Sequence, residues 1–314
     1  MKSQTQHLVK YQLCSPGKHT LKEWLAHLSD MNKQISVVLG SFNRKKYLKI
    51  SIDSIRNEIR NLDGEIIVVD GGSSDGTLDW LSKQKDIITI IQHNHGQWRG
   101  SDVERKSWGY FMNLGFKISH GKYILMVSDD CLIVPGAVKN GIKIFDKDNK
   151  IGAIAFYWRN WPIQKEYWVG TTLGGKMFVN HGLFLKKALE EAGFLDEETY
   201  SFYHGDGDIC LKIWEKGYKV IDSNKSFVEH FFHANHKLRK SNSNKQQKDW
   251  ENYLKKWSGK YYLKGRDTGD WIKISYIDKG KTANKFFKAL NLNDYLNIFI
   301  SKWAYPLYQR LFKH

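Results

Sequence analysis

In Lys122-Tyr-Ile-Leu-Met-Val-Ser-Asp-Asp-Cys-Leu-Ile-Val-Pro135, the five residues from Tyr123 to Val127 form a short apolar run. Such a run predicts a buried strand, and here it leads into two adjacent carboxylates, Asp129 and Asp130. Open α/β sheets bind their ligands at the carboxyl ends of parallel strands. Two neighbouring carboxylates repel each other and favour a cation, and Mg²⁺ or Mn²⁺ suits carboxylate ligands. The stretch therefore predicts a metal site at the edge of a sheet, with a solvated Asp-Asp turn as the alternative.

Two further strands with polar residues at their carboxyl ends precede this one. Residues 35–39 lead into Gly40-Ser-Phe-Asn-Arg44, and residues 65–69 lead into Asp70-Gly-Gly-Ser-Ser-Asp-Gly-Thr77. Helical repeats of apolar residues separate the strands, and another strand is expected at 87–91. Short, right-handed connections would give an open parallel sheet with three strand ends at one edge. No G-x-G-x-x-G follows the first strand, which argues against a dinucleotide site.

The composition limits the class of protein. The chain has 314 residues, 41% of them hydrophobic, which is enough for one large α/β domain with additions. Its net charge of +16 predicts an anionic partner: a nucleotide, a phosphorylated lipid, a membrane surface or a nucleic acid. The 3 cysteines lack metal-ligand spacing, and their odd number argues against a disulfide framework, so we expect a reducing environment. We expect neither a signal peptide nor a membrane-spanning helix, because the basic N-terminal residues are not followed by an apolar run and no apolar stretch approaches ~20 residues.

The middle of the chain contains two segments that we interpret as loops. Residues 93–106 are rich in hydrogen-bond donors, among them Arg105. Residues 157–175 are rich in Trp and Gly, and their rings could stack on sugars or pack in the core. Apolar residues at 183–192 then predict a helix.

Asp206 lies between two glycines, just before a helix that we expect to begin near Asp208. It could be a positioned general base, or simply a favourable charge at a helix N-terminus. A strand at 219–221 leads towards His230 and His233. Two histidines are a weak metal signal, because a site needs further ligands.

The C-terminal third of the chain is basic. Residues 235–265 carry Lys and Asn runs and indicate a linker plus a surface helix. From 285 to 314, apolar and aromatic residues alternate with Lys and Arg at near-helical spacing. This pattern predicts either an amphipathic helix on a membrane surface or a helix docked on the core.

Residues 34–235 together resemble an inverting family-2 glycosyltransferase of the bacterial polysaccharide-biosynthesis type. Residues 35–43 are similar to the opening strand and turn of that family, and residues 65–77, the most specific match, to its nucleotide-binding segment. Val127-Ser-Asp-Asp130 stands at the D-x-D-type motif, with Ser128 in place of the first Asp. The resemblance implies a GT-A fold, an α/β fold in which a mixed, mostly parallel sheet is flanked by helices. It also implies three segments: an N-terminal extension (1–33), a GT-A domain (34–240) and a basic, amphipathic helical C-terminal extension (241–314).

The resemblance further implies roles for single residues. Asp206 would deprotonate the acceptor hydroxyl, and Gly205 replaces the acidic residue that often precedes this base. Asp130 would bind the metal on the donor diphosphate, with His230 or His233 as a further ligand. Asp70 would contact the base, where many members carry a second Asp in place of Gly71, and Asp129 would reach the ribose. The nucleotide-sugar site would comprise Gly40, Ser41, Asn43, Asp70, Gly72, Arg105 and Asp129.

The implied reaction moves a sugar, with inversion, from a nucleotide-diphosphate sugar to a hydroxyl of a glycan or lipid-linked acceptor. A UDP-sugar is the first choice of donor, and Mn²⁺ or Mg²⁺ the cofactor. We expect a cytoplasmic protein that can lie on the inner face of the cell membrane and contact its anionic surface.

Two alternative functions fit the sequence less well than this reaction. A sugar-nucleotide nucleotidyltransferase is disfavoured because the turn after the first strand is short and carries only Arg44 and Lys45. A non-catalytic nucleic-acid-binding protein would suit the net charge. Acidic clusters at the ligand edge would repel a phosphate backbone, so no nucleic-acid partner is expected.

Overall fold

The computed structural model describes residues 33–231, 236–265 and 270–300, and the predicted strands at 35–39, 65–69, 87–91 and 123–127 all belong to its main sheet. The strands are β1 (Ile35–Ser41), β2 (Gly64–Asp70), β3 (Ile87–Ile91), β4 (Gln97–Trp98), β5 (Ser101–Asp102), β6 (Tyr123–Met126), β7 (Cys131–Ile133), β8 (Ile151–Trp161), β9 (Tyr167–Gly170), β10 (Gly182–Leu185), β11 (Lys219–Phe231) and β12 (Trp271–Ile274). The helices are α1 (Lys45–Ile59), α2 (Thr77–Leu81), α3 (Trp108–Ile118), α4 (Ala137–Phe145), α5 (Lys186–Glu191), α6 (Gly205–Glu215), α7 (His236–Trp257) and α8 (Leu292–Phe299).

The main sheet is mixed, as predicted. Within the described ranges it has ten strands, in the order β12-β9-β8-β10-β6-β1-β2-β3, and β11 pairs with β8 and with β7. Strands β6, β1, β2 and β3 are parallel, so their carboxyl ends share one edge. Strand β10 lies antiparallel between β6 and β8, while β11 runs parallel to β8. This register brings the carboxyl end of β11 beside the acid pair that follows β6, because His230 pairs with Cys131.

The sheet has a hydrophobic layer on each face, and β1 shows how the sequence produces both. Val37 belongs to the core layer that contains α1, whereas Val38 belongs to the layer that contains α3. Successive side chains of a strand point to opposite faces, so a continuous apolar run is buried on both sides. Each fully buried aliphatic side chain contributes about 1.5–3 kcal/mol relative to an exposed one. Gly115 lets α3 lie close to β1, because a Cβ there would be 2.5 Å from Val38 Cγ1.

Three predicted elements differ from the structure. The helix predicted at 183–192 is instead strand β10 followed by the short helix α5. The loop predicted at 157–175 is mostly regular, since β8 continues to Trp161 and β9 follows it. The strand predicted at 219–221 extends to Phe231. A short apolar run does not by itself distinguish a strand from a helix, and here pairing with distant strands decides.

The C-terminal segment lies partly within the described residues. The predicted boundary between 240 and 241 falls inside α7, and β12 pairs with β9 of the main sheet. Residues 1–32 of the predicted N-terminal extension and residues 301–314 of the predicted tail lie outside the described part of the chain. No helix in the described ranges is long and apolar enough to cross a membrane.

Candidate active site

A cavity of about 760 Å³ opens at the carboxyl edge of β1 and β6, where the sequence predicts a ligand site. The acid pair, Asp206 and His230 all line it, although they come from three different parts of the chain. Of the predicted nucleotide-sugar residues, the cavity wall includes Gly40, Ser41, Arg105 and Asp129. Further side chains on the wall are Phe42, Arg44, His95, Lys106, Trp108, Trp158, Asn180, His181 and His204.

The acid pair is buried and bound to an arginine. Asp129 and Asp130 are each 3% exposed, and one nitrogen of Arg44, Nη1, donates to both: 2.7 Å to Asp129 Oδ1 and 2.8 Å to Asp130 Oδ2. Burial opposes the charge of Arg44, but the two carboxylates outweigh burial and raise its pKa further above the usual value. Burial also raises the pKa of Asp129, against the lowering effect of Arg44. The pair is therefore a strongly anionic, desolvated site whose counter-charge is Arg44.

The residues around the pair suit a divalent cation. Asp129 Oδ2 is buried and has no hydrogen-bond partner in the described part of the chain, and His230 Nε2 lies 3.6 Å from Asp130 Oδ1. His230 Nδ1 is 2.6 Å from Asn160 Oδ1, a contact that fixes the ring as outer-shell partners of metal-binding histidines do. Among the described residues, no three His, Cys, Asp or Glu side chains are grouped to hold a metal by themselves. Two carboxylates and an imidazole still fit Mg²⁺ or Mn²⁺, because these ions take their remaining ligands from water and substrate phosphates. His233 lies outside the described residues, so the choice between the two histidines stays a prediction.

Asp206 lies on the cavity wall in the first turn of α6, which begins at Gly205 rather than near Asp208. Its Oδ2 accepts a hydrogen bond of 2.6 Å from Asn180 Nδ2, and its Oδ1 accepts one from the Gly207 backbone N–H. Burial nevertheless raises the pKa of Asp206 to about 6, since desolvation outweighs these bonds. The N-terminus of the helix favours the ionised form, but burial has the larger effect on this pKa. A carboxylate with this pKa is still mostly ionised at neutral pH and holds a proton more readily than an ordinary aspartate.

Asp208 lies two residues further along α6, and other side chains of the protein surround its carboxylate. Its carboxylate is fully buried and contacts Lys256 Nζ at 2.9 Å, Trp257 Nε1 at 3.1 Å and Tyr200 OH at 3.0 Å. These bonds join α6 to α7 and use both carboxylate oxygens. The geometry therefore favours Asp206 over Asp208 as the group that meets a substrate.

The predicted site residues at the end of β2 and in the loop after it lie behind the cavity wall. Asp70 is fully buried and does not line the cavity, because its own loop uses both of its oxygens. Oδ1 accepts from the backbone N–H groups of Gly72 and Ser73, and Oδ2 accepts from Ser73 Oγ at 2.7 Å. Asn43 also serves this loop: its Oδ1 accepts from the Ser74 N–H at 2.7 Å. The loop next to the cavity is thus held in shape by residues that do not themselves line the cavity: Asn43, Asp70 and Gly72.

Gly72 shows why this loop has a glycine. Its φ is +84°, a left-handed value that glycine adopts at no steric cost. A Cβ there would also lie 2.3 Å from His93 Nδ1. Arg105 follows the β4–β5 hairpin and is exposed at the wall.

Sequence reasoning missed four residues that organise the cavity. Arg44 and His181 line it, and Asn180 orients Asp206. Asp249, 1% exposed on α7, accepts from the backbone N–H groups of three cavity residues, 201–203, at 2.9 Å each. All four depend on contacts between distant parts of the chain, so no local pattern could have identified them.

Curated relatives of the chain are glycosyltransferases. Over 217 residues it is 24% identical to the Escherichia coli UDP-Glc:alpha-D-GlcNAc-diphosphoundecaprenol beta-1,3-glucosyltransferase WfaP, an alignment that covers 64% of this chain and 78% of that protein. Over 111 residues it is 28% identical to the Staphylococcus aureus poly(ribitol-phosphate) beta-N-acetylglucosaminyltransferase TarP, covering 34% of this chain and only 32% of the relative.

Solved structures confirm the GT-A fold. The mannosyltransferase PcManGT from Pyrobaculum calidifontis, solved with GDP-Man and Mn²⁺, superposes with a TM-score of 0.53 at 16% identity, covering 74% of this chain and 66% of that one. S. aureus TarS 1-349 in complex with UDP-GlcNAc gives a TM-score of 0.50 at 14% identity, covering 89% of this chain and 76% of the TarS chain. At such low identity these likenesses concern the fold alone.

The sequence pattern of glycosyl transferase family 2 matches residues 36–197, just over half of the chain. That range contains β1 from Ser36 onwards, the loop after β2 and the acid pair after β6, and it ends before Asp206 and His230. The chain belongs to glycosyl transferase family 2.

Proposed function

We propose that this glycosyltransferase moves a sugar from a nucleoside-diphosphate sugar to a hydroxyl of a glycan or lipid-linked acceptor, with inversion and with a divalent metal, in cell-surface polysaccharide synthesis. The observation that carries the proposal is that one cavity contains both a buried acid pair and a separate carboxylate, Asp206, with a pKa near 6. A single displacement needs these two functions together: stabilisation of a leaving diphosphate and removal of a proton from the acceptor.

Each part of the cavity would serve one step of that displacement. Asp130 and His230 would hold Mn²⁺ or Mg²⁺, which when bound supplies positive charge to a departing diphosphate. Asp206 would accept the proton of the acceptor hydroxyl as the oxygen forms its bond to the anomeric carbon and the nucleoside diphosphate leaves. Asn180 would keep the Asp206 carboxylate in place for that transfer. One base suffices, whereas a glycosidase needs two carboxylates on either side of the bond.

Relatives support the class of donor and acceptor. The full name of WfaP specifies UDP-Glc as donor and a GlcNAc linked to diphosphoundecaprenol as acceptor. The structures of PcManGT and TarS contain GDP-Man and UDP-GlcNAc, respectively. We therefore place a nucleoside-diphosphate sugar in this cavity, with a UDP-sugar as the first donor to test. TarP, which acts on poly(ribitol-phosphate), supports a polymeric surface glycan as the alternative to a lipid-linked acceptor.

A donor panel tests the proposed reaction. We expect the full-length protein with Mn²⁺ to release nucleoside diphosphate from at least one of UDP-Glc, UDP-GlcNAc, UDP-Gal and GDP-Man. Release should stop when EDTA is added and resume with excess Mn²⁺. If EDTA does not affect release, the proposed metal dependence is wrong. If no nucleoside diphosphate is released from any of these donors in the presence of GlcNAc-diphospholipid, the proposed class of donor is wrong.

We also propose that the C-terminal segment binds an anionic membrane surface, which would place the enzyme beside a lipid-linked acceptor. Helix α8 exposes 84% of Leu292, 55% of Leu296 and 60% of Phe299. Lys285 and Lys288 are exposed in the turn just before it. An apolar face beside basic side chains is typical of helices that lie in a lipid headgroup layer.

Vesicle sedimentation tests this surface. The double variant Leu296→Asp/Phe299→Asp should lower binding to phosphatidylglycerol vesicles at low salt by at least ~10-fold, since each buried apolar side chain contributes roughly 1.5–3 kcal/mol. Ile91→Asp, which alters an exposed residue of β3, is the matched control and should bind as wild type does. If wild type ignores the vesicles, or if the double variant binds equally well, the proposal is wrong.

A further inference from the structure

Arg44 occupies the centre of the acid pair in this structure. One of its nitrogens lies 2.7 Å from Asp129 Oδ1 and 2.8 Å from Asp130 Oδ2, and the three side chains are at most 16% exposed. Such short, charge-assisted contacts are among the stronger hydrogen bonds in proteins. Asp129 and Asp130 follow Arg44 by 85 and 86 positions in the sequence. The fold has therefore brought a cation of its own to the carboxylates.

A second cation at this position would be repelled by Arg44. A divalent ion held by Asp130 and His230 would lie beside the buried guanidinium that contacts the other oxygen of Asp130, where water screens repulsion poorly. While Arg44 stays on the acid pair, this repulsion lowers the affinity for the ion. A nucleoside diphosphate changes this balance, because its phosphate oxygens offer a guanidinium a new anionic partner while they also bind the metal.

We propose that Arg44 is a resident cation that competes with divalent metal at the acid pair, so that metal and nucleoside diphosphate bind cooperatively. The inference rests on the metal site of the proposed function. Arg44 weakens the binding of metal alone and, once freed, supports the diphosphate. By linkage, the factor by which the diphosphate tightens metal binding equals the factor by which metal tightens diphosphate binding.

Electron paramagnetic resonance of free Mn²⁺ measures the competition without any sugar transfer. Arg44→Gln should bind Mn²⁺ alone at least ~10-fold more tightly than wild type, and UDP should tighten Mn²⁺ binding by a smaller factor in the variant than in wild type. Arg56→Gln is the control: it removes the same charge from α1 at an exposed ion pair with Asp86, and its Mn²⁺ affinity should equal that of wild type. Unchanged or weaker Mn²⁺ binding by folded Arg44→Gln would overturn the competition.

A second variant covers the risk that Arg44→Gln unfolds, since loss of one partner leaves two buried carboxylates without their cation. Arg44→Lys keeps the charge but lacks the planar guanidinium, so its Mn²⁺ affinity should lie between those of wild type and Arg44→Gln. Weaker Mn²⁺ binding by folded Arg44→Lys than by wild type would overturn the inference. If neither wild type nor the variants bind Mn²⁺ even with UDP, the proposed metal dependence of the enzyme is wrong. If all of them bind Mn²⁺ with the same affinity, only the proposed role of Arg44 is wrong.

Discussion

Replacing Asp130 with alanine should abolish the Mn²⁺-dependent binding of UDP while leaving the fold intact. Asp130 is 3% exposed at the cavity wall, and its carboxylate lies 3.6 Å from the second proposed ligand, His230. Loss of an outer-shell partner already costs 10–100-fold in metal affinity, so loss of a ligand should cost at least ~100-fold. Calorimetric titration of UDP with and without Mn²⁺ measures the difference between the two affinities.

The fold should survive because the backbone at this position is held independently of the side chain. The carbonyl oxygen of Asp130 accepts from the Phe231 N–H at 2.9 Å, and Arg44 keeps Asp129 as its partner. Asp148→Ala is the control and should bind UDP normally, because it removes a carboxylate between α4 and β8 that pairs with Lys219 and does not line the cavity. Unchanged Mn²⁺-dependent affinity in Asp130→Ala would exclude Asp130 as a metal ligand.

The strand ends could be predicted from sequence because they depend on local patterns. The strands β1, β2 and β6 each contain at least three consecutive apolar residues, and a polar turn follows each strand within a few residues. Parallel pairing of such runs leaves little choice about which edge their carboxyl ends share. The position of the acid pair at the ligand edge therefore follows from the sequence, and the family resemblance adds the expected chemistry.

The partners of the acid pair could not be predicted, because they depend on long-range register. Arg44 reaches Asp129 only after β1 and β6 pair, and His230 arrives through the pairing of β11 with β7. Asp70 illustrates the opposite case. Its place at the end of β2 is predicted correctly, but sequence alone could not show that its own loop would occupy both of its oxygens.

Replacing Asp206 with asparagine should lower turnover by about 10²–10⁴-fold, the usual contribution of a general base. Asparagine keeps the size of the side chain and loses the ability to accept a proton. Binding of UDP and Mn²⁺ should change little, because those contacts belong to the acid pair.

The wild-type pH profile provides an independent readout. Burial raises the pKa of Asp206 to about 6, so the base is protonated and kcat/KM should fall as the pH drops through 6. Asp206→Asn should lose that step.

Asp208→Asn separates the chemistry of α6 from its stability. Asp208 is fully buried against Lys256 and Trp257, so the variant should lower the free energy of unfolding by about 1–3 kcal/mol, measured by urea denaturation. Where it remains folded, it should keep turnover within about tenfold of wild type, together with the same fall in activity near pH 6. The reverse pattern, in which folded Asp208→Asn is inactive and Asp206→Asn transfers sugar normally, would place the base two residues later. Near-normal turnover in both variants would show that neither carboxylate of this helix removes the proton, and a group on another part of the cavity wall would then have to do so.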